Sequence, residues 1–185
     1  MHNIFPGALA LFAVLLVVLG YVLFRAPSRG RRSFTEPVAR LLTRWRAGGV
    51  KPNPPATEAA LSAFESANRV RLPDDLRALL RAADGIPFSE LDGLSRLRPL
   101  AEFFQVVDRF PAARGHAAGP ADPERYYCFG DYNIEGSFWA VRLSDDPAAA
   151  APVRVFRDDG GGYEVAESVG EFLTRYVSEG PDGMC

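Results

Sequence analysis

The stretch from Tyr126 to Leu143 constrains the fold of this chain more than any other part. It contains two runs rich in aromatic and β-branched residues, separated by a polar segment with Asp, Asn and two Gly. Two such runs around a turn predict a β-hairpin. Side chains of the second run alternate, which predicts one buried face and one partly solvated face. The two alternating sets are Phe138, Ala140 and Arg142 against Trp139, Val141 and Leu143.

Further strands and helices are predicted around this hairpin. Two strands follow it, at Val153–Arg157 and Tyr163–Ala166. A loop is predicted at 112–124, where Ala, Gly and Pro dominate. Helices are predicted at Phe34–Ala47, from Thr57 onward, from Pro73 through Leu80, at Arg98–Phe110 and at Val169–Val177. The helices that precede the hairpin are able to cover one face of its sheet.

The first 24 residues predict a membrane anchor. Residues Ile4–Phe24 form a run of 21 residues without a charged side chain. As a helix this run would span about 31 Å, close to the hydrocarbon thickness of a bilayer. A cleaved signal peptide fits poorly, because no Lys or Arg precedes the run and no small-residue cleavage site follows it. A buried core helix fits poorly as well, because the run is apolar on all its faces.

The flanks of this run predict its orientation. Arg25, Arg29, Arg31 and Arg32 follow it directly, whereas only His2 and the α-amino group precede it. Positive residues favour the cytoplasmic side. The sequence therefore predicts a single-pass protein of the cell membrane, with its C-terminal domain in the cytoplasm.

Charge divides the rest of the chain into a basic segment and an acidic domain. Residues 25–51 carry eight basic residues and one acid, whereas the residues from Pro52 onward carry 13 basic residues against 22 acids, a balance of −9. The predicted divisions are an anchor at 1–24, a basic segment at 25–51, a linker at 52–56, a domain at 57–179 and a tail at 180–185. The apolar stripe of 34–47 fits two arrangements, an interfacial helix on anionic lipid headgroups or a helix packed on the domain. Lipids and topology explain the arginines more simply than nucleic acid does, and no nucleic-acid partner is expected.

The sequence offers little for catalysis, metal binding or a cofactor. Nucleophilic catalysis needs a base beside the nucleophile, and the two histidines are His2 and His116. No CxxC pair or Cys/His cluster with zinc-ligand spacing occurs. The segment 131–136 resembles half of a calcium loop, but its twelfth position holds Arg142, so a hairpin turn is favoured. We expect no enzyme activity, metal or cofactor.

Five short motifs, taken in order, resemble the SMI1/KNR4 family, also called the SUKH superfamily. These are Leu72-Pro73-Asp74-Asp75-Leu76, Asp84-Gly85, Phe129-Gly130-Asp131, Pro152-Val153-Arg154-Val155-Phe156 and Ser168-Val169-Gly170-Glu171-Phe172-Leu173. The resemblance covers about Thr57 to Val177 and implies the fold class α+β, with helices packed on a mostly antiparallel, curved sheet. It also implies a binding module, since family members include bacterial immunity proteins that neutralise toxin domains, and fungal regulators of cell-wall synthesis. The family commonly has Asn-Gly-Gly where this chain has Asp84-Gly85-Ile86.

Two functions remain open from the sequence. One is a membrane-tethered immunity-type module whose acidic domain binds a basic protein such as a toxin domain. The other is a membrane-anchored regulator or scaffold of cell-envelope machinery. For the first, we expect acids on an exposed rim around an aromatic residue in the middle of the interface. The candidate residues are Asp131, Tyr132, Glu135, Trp139, Asp158 and Asp159; the alternative is that the acids only solvate turns and that Trp139 fills the core.

Overall fold

The computed structural model of the chain describes residues 35–146 and 149–184. The predicted anchor at 4–24 and the arginines that follow it lie outside these residues. Among the helices of the described residues, none is both long and apolar enough to cross a bilayer.

The sheet has six strands, and every pairing in it is antiparallel, as predicted. Its spatial order is β1-β3-β4-β5-β6, and β2 pairs beside β1 on the same edge of β3. The bounds are β1 (Ser95–Leu97), β2 (Phe104–Gln105), β3 (Tyr126–Tyr132), β4 (Ser137–Arg142), β5 (Val153–Arg157) and β6 (Gly162–Ala166). The predicted hairpin is β3–β4, which forms the middle of the sheet.

Five α-helices accompany the sheet in the described residues, so the α+β prediction is confirmed. They are α1 (Thr35–Ala47), α2 (Glu58–Asn68), α3 (Asp74–Ala82), α4 (Val106–Arg109) and α5 (Val169–Glu179). Helix α2 is capped by Thr57, whose Oγ1 accepts a 3.1 Å hydrogen bond from the amide of Ala60. The larger core lies between the helices and one face of the sheet, where Leu80, Trp139 and Phe172 are each at most 1% exposed.

The second face of the sheet is buried as well, which corrects the prediction of a partly solvated face. Phe138, Ala140 and Phe156 on this face are fully buried. They pack with Val106, Phe110 and Ala113, so α4 and the loop that follows it cover the sheet. Alternate side chains of β4 therefore belong to two different cores. The charged Arg142 at the end of β4 pairs with Asp122 at 2.7 Å.

The predicted helix at Arg98–Phe110 is wrong. The segment instead contains a 3-10 turn at Leu100–Glu102, then β2, then the single turn of α4. Phe103 packs against the larger core, whereas Phe104 packs against the smaller one on the other face of the sheet. Neighbouring side chains point to opposite faces only in an extended strand, and pairing of Phe104 with Cys128 in β3 supplies that strand.

Helix α1 packs on the domain, so the interfacial arrangement is not the one observed. Its apolar stripe is buried, with Val38 at 5%, Leu41 at 0% and Trp45 at 1% exposure. The helix contacts α5 and α3, and Arg44 Nε lies 2.9 Å from Asp92 Oδ2. The folded domain therefore begins earlier than the predicted boundary at residue 57.

Candidate functional site

The structure brings three of the candidate acids to one end of the sheet. Glu135 lies in the β3–β4 turn, and Asp158 and Asp159 lie in the β5–β6 turn. Because Ser137 pairs with Arg157, both turns leave the sheet at the same end. Two strand spacings, about 10 Å, separate them. Asp158 and Asp159 are exposed and Glu135 is partly exposed, so these three fit the predicted rim.

Two other candidates lie inside the protein and cannot form an exposed rim. Asp131 is 1% exposed, and its Oδ2 lies 2.9 Å from Arg98 Nε. Trp139 is fully buried between the sheet and α5, and its Nε1 donates to the carbonyl of Met184 at 3.2 Å. Trp139 therefore fills the core, which was the alternative interpretation. The last candidate, Tyr132, is half-buried, and its hydroxyl donates to Asp182 at 2.6 Å.

Glu135 is held by two arginines. Its Oε1 accepts from Arg98 Nη2 at 2.7 Å, and its Oε2 accepts from Arg109 Nη2 at 3.0 Å. The hydrogen bond from Arg98 is the main reason why the pKa of Glu135 lies below its ordinary value. Arg98 is only 7% exposed and also pairs with Asp131, so the turn is joined to a buried ionic cluster.

This pairing predicts a pH-dependent stability. A carboxyl whose pKa is lower in the folded chain stabilises it above the unfolded pKa of about 4.3, and this contribution disappears as the pH falls through the folded pKa. Glu135→Gln should therefore lower the free energy of unfolding by about 1–2 kcal/mol at pH 7. The gap from the parent should close below about pH 4. Urea unfolding of both proteins at several pH values measures this difference in the free energy of unfolding. A difference that stayed constant down to acid pH would contradict the ion pairs.

The β3–β4 turn has an uncommon backbone. Three consecutive residues without glycine's freedom have positive φ angles, Asn133 at 55°, Ile134 at 51° and Glu135 at 67°. Asn adopts this left-handed conformation readily, but a β-branched residue such as Ile does so rarely. The two ion pairs of Glu135 hold the turn in this shape.

Sequence reasoning missed the exposed apolar residues near this turn. Phe88, Leu94 and Ile134 are exposed by 55%, 46% and 58%. Each is a large apolar residue in a segment otherwise rich in turn-forming residues, and that contrast is the sequence signal for them. The sequence does not show where these three side chains lie on the folded chain.

The groups suited to catalysis are poorly placed for it. Cys128 is fully buried, and burial raises the pKa of its thiol to about 12, so it is protonated at neutral pH. His116 Nδ1 accepts from the amide of Ala118 within its own loop. Within residues 35–146 and 149–184, no group of three His, Cys, Asp or Glu side chains is placed to hold a metal ion. A cavity of about 300 Å³ beside α2 is lined largely by charged side chains, including the ion-paired Glu65 and Arg71.

The motif residues found in the sequence hold the fold together. Asp75 is buried, and its carboxylate accepts from the amide of Gly170 at 2.7 Å, at the start of α5. Ser168 Oγ accepts from the amide of Glu171 and caps the same helix. Asp84 Oδ1 accepts from the amide of Leu100 at 2.7 Å. These motif residues therefore stabilise the architecture.

Comparison with known proteins agrees with this architecture. No curated protein matches the chain. The model of the SMI1 / KNR4 family (SUKH-1) matches residues 55–175, which is more than half of the chain. All five motifs described above fall within that range. The chain therefore belongs to the SMI1/KNR4 (SUKH-1) family.

Proposed function

We propose that this chain is a non-catalytic protein-binding module of the immunity type, which neutralises a basic toxin domain by binding it. Membership of the SMI1/KNR4 family carries the proposal, because the family is generally one of immunity-type domains. The acidic balance of −9 from Pro52 onward favours a positively charged partner. Glu135, Asp158 and Asp159 at one end of the sheet supply part of that charge on the surface.

Neutralisation by binding is tested through the genes that flank this one. Each flanking product is expressed in a heterologous host, alone and together with the full-length chain. We expect one product to stop growth alone and to be tolerated when the chain is present. The toxin recovered from the complex should have an unchanged mass and should regain its activity on dissociation, because binding leaves it intact. If no flanking product inhibits growth, or if the chain rescues none that does, the immunity role is wrong.

We further propose that residues 4–24 tether the module to the membrane with the domain on the cytoplasmic side. The support is the charge-free run and the four arginines behind it. A reporter active only outside the cytoplasm, fused after Cys185, should stay inactive. Activity of that reporter would show that the domain lies outside the cytoplasm. Recovery of the full-length chain in the soluble fraction would show that residues 4–24 do not tether it to a membrane.

A further inference from the structure

Three exposed apolar side chains lie around the end of the sheet where β1 meets the β3–β4 turn; Phe88, Leu94 and Ile134 are called the tip patch. Leu94 lies directly before β1, and its carbonyl accepts a 2.8 Å hydrogen bond from the amide of Asn133, the neighbour of Ile134. Arg96 follows two residues later in β1 and pairs with Asp131 at the end of β3. The ring of Phe88 lies over the same Arg96, 5.1 Å from its guanidinium carbon.

The backbone of Ile134 adopts a conformation that costs free energy, and burial of its side chain does not offset that cost. Its φ of 51° is costly for a β-branched side chain, which Asn or Gly would avoid. Its side chain is 58% exposed, so burial does not repay this cost. Backbone strain of this kind concentrates at binding sites, where the position of the side chain matters more than stability. The ion pairs of Glu135 with Arg98 and Arg109 tie the turn to the domain, which lowers the cost of ordering it when a partner binds.

The charges around the tip patch are mainly acidic. Glu90 belongs to the same loop as Phe88, and Glu102 pairs with Arg96 beneath it while remaining 42% exposed. Asp182 binds the hydroxyl of Tyr132 on the β3–β4 hairpin and is exposed. Glu135 adds a fourth acid. Exposed cations lie beside these acids too: Arg109 pairs with Glu135, and the amide of Lys51 binds Glu90. Arg157 pairs with Ser137 beside the β3–β4 turn, but two further exposed acids, Asp158 and Asp159, follow it directly.

We propose that the tip patch is the centre of the protein-binding interface, and that its partner presents an apolar side chain surrounded by basic residues. An apolar centre with a charged rim is the usual anatomy of a specific interface. A second copy of this chain fits poorly, because two acidic rims would face each other and repel. This inference rests on the proposed function and adds the surface that performs it.

Tyr163 provides a matched control on the same domain. It is 40% exposed on β6, the edge strand far from β1 in the sheet order, and its ring lies 5.7 Å from the guanidinium carbon of Arg157. It therefore resembles Phe88 in exposure and in its cation neighbour but lies outside the tip patch.

Crosslinking in the cells that make the protein tests the placement. The full-length chain carries the photocrosslinker benzoylphenylalanine in place of Ile134, Leu94 or Tyr163, one site at a time. We expect irradiation to join the chain to another protein at the first two sites and not at the third, and mass spectrometry to identify an adduct partner with a positive net charge. An adduct at Tyr163 alone would overturn the placement and leave the proposed function standing. An acidic partner or a second copy of this chain would overturn the partner chemistry, and no protein adduct at any site would contradict both proposals.

A variant pair separates binding from folding. Ile134→Asn should raise the melting temperature of the full-length chain by a few degrees, because Asn tolerates the left-handed conformation. It should also weaken binding to the crosslinked partner by about tenfold or more, mainly through faster dissociation. Tyr163→Ser should leave the affinity unchanged. A fall in melting temperature for Ile134→Asn would show that Ile134 stabilises the chain itself, and unchanged affinity would exclude the tip patch as the interface centre.

Discussion

Replacing Gly85 by Ala is expected to lower the free energy of unfolding by about 3–5 kcal/mol, a large part of the stability of a single domain. Gly85 has a φ of +64°, and a Cβ there would lie 2.5 Å from the carbonyl oxygen of Arg98. The left-handed conformation accounts for about 1–2 kcal/mol of the expected loss. The remainder comes from pushing the two backbones apart. That movement would disturb the neighbouring hydrogen bond from the amide of Ile86 to the carbonyl of Leu97, which is 2.8 Å long.

Gly93→Ala is the matched control for this prediction. Gly93 has nearly the same φ, +67°, but a Cβ there would meet nothing within 4 Å. This variant should therefore lose only the conformational part, about 1–2 kcal/mol. Urea unfolding of the two variants and the parent measures both values. Equal losses in the two variants would show that the close approach to Arg98 has no energetic weight.

The local sequence around Gly85 indicates its conformation but not the reason for it. A glycine two residues past an apolar helical stripe is typical of a left-handed cap, and Gly85 has a positive φ. However, the cap of α3 is Ala83, and what requires glycine at position 85 is the backbone of Arg98, thirteen residues further on. Periodicity and turn residues describe local preferences, whereas this contact depends on how β1 lies against the end of α3.

Non-local packing also explains the errors at the candidate site. A turn with two acids near an aromatic residue predicts an exposed rim, and Glu135 fits it because it lies in the turn itself. Asp131 is buried because Arg96 and Arg98, more than thirty residues earlier in the chain, form ion pairs with it across the sheet. Trp139 is buried because α5 covers that face. No sequence pattern within the hairpin predicts the contacts with these arginines or with α5.

Helix α1 lies outside the residues that match the family, yet it contributes to the core. Trp45 on this helix is 1% exposed and belongs to the larger core. Arg44, its neighbour, pairs with Asp92 at 2.9 Å and lies over the ring of Tyr176 on α5. A fragment that began at Pro52 would expose the apolar surface that α1 covers. Binding studies should therefore keep α1.

Trp45→Ala is expected to lower the free energy of unfolding by about 3–5 kcal/mol, as truncation of a buried Trp generally does. The loss should fall toward the lower end, because the indole Nε1 is buried without a hydrogen-bond partner among the described residues. Arg46→Ala, on the exposed side of α1, should stay within about 0.5 kcal/mol of the parent. Trp139 is the remaining tryptophan of the Trp45 variant, so its fluorescence reports unfolding in urea directly. If α1 lay on a lipid surface instead, both substitutions would leave the urea midpoint of the detergent-solubilised chain unchanged.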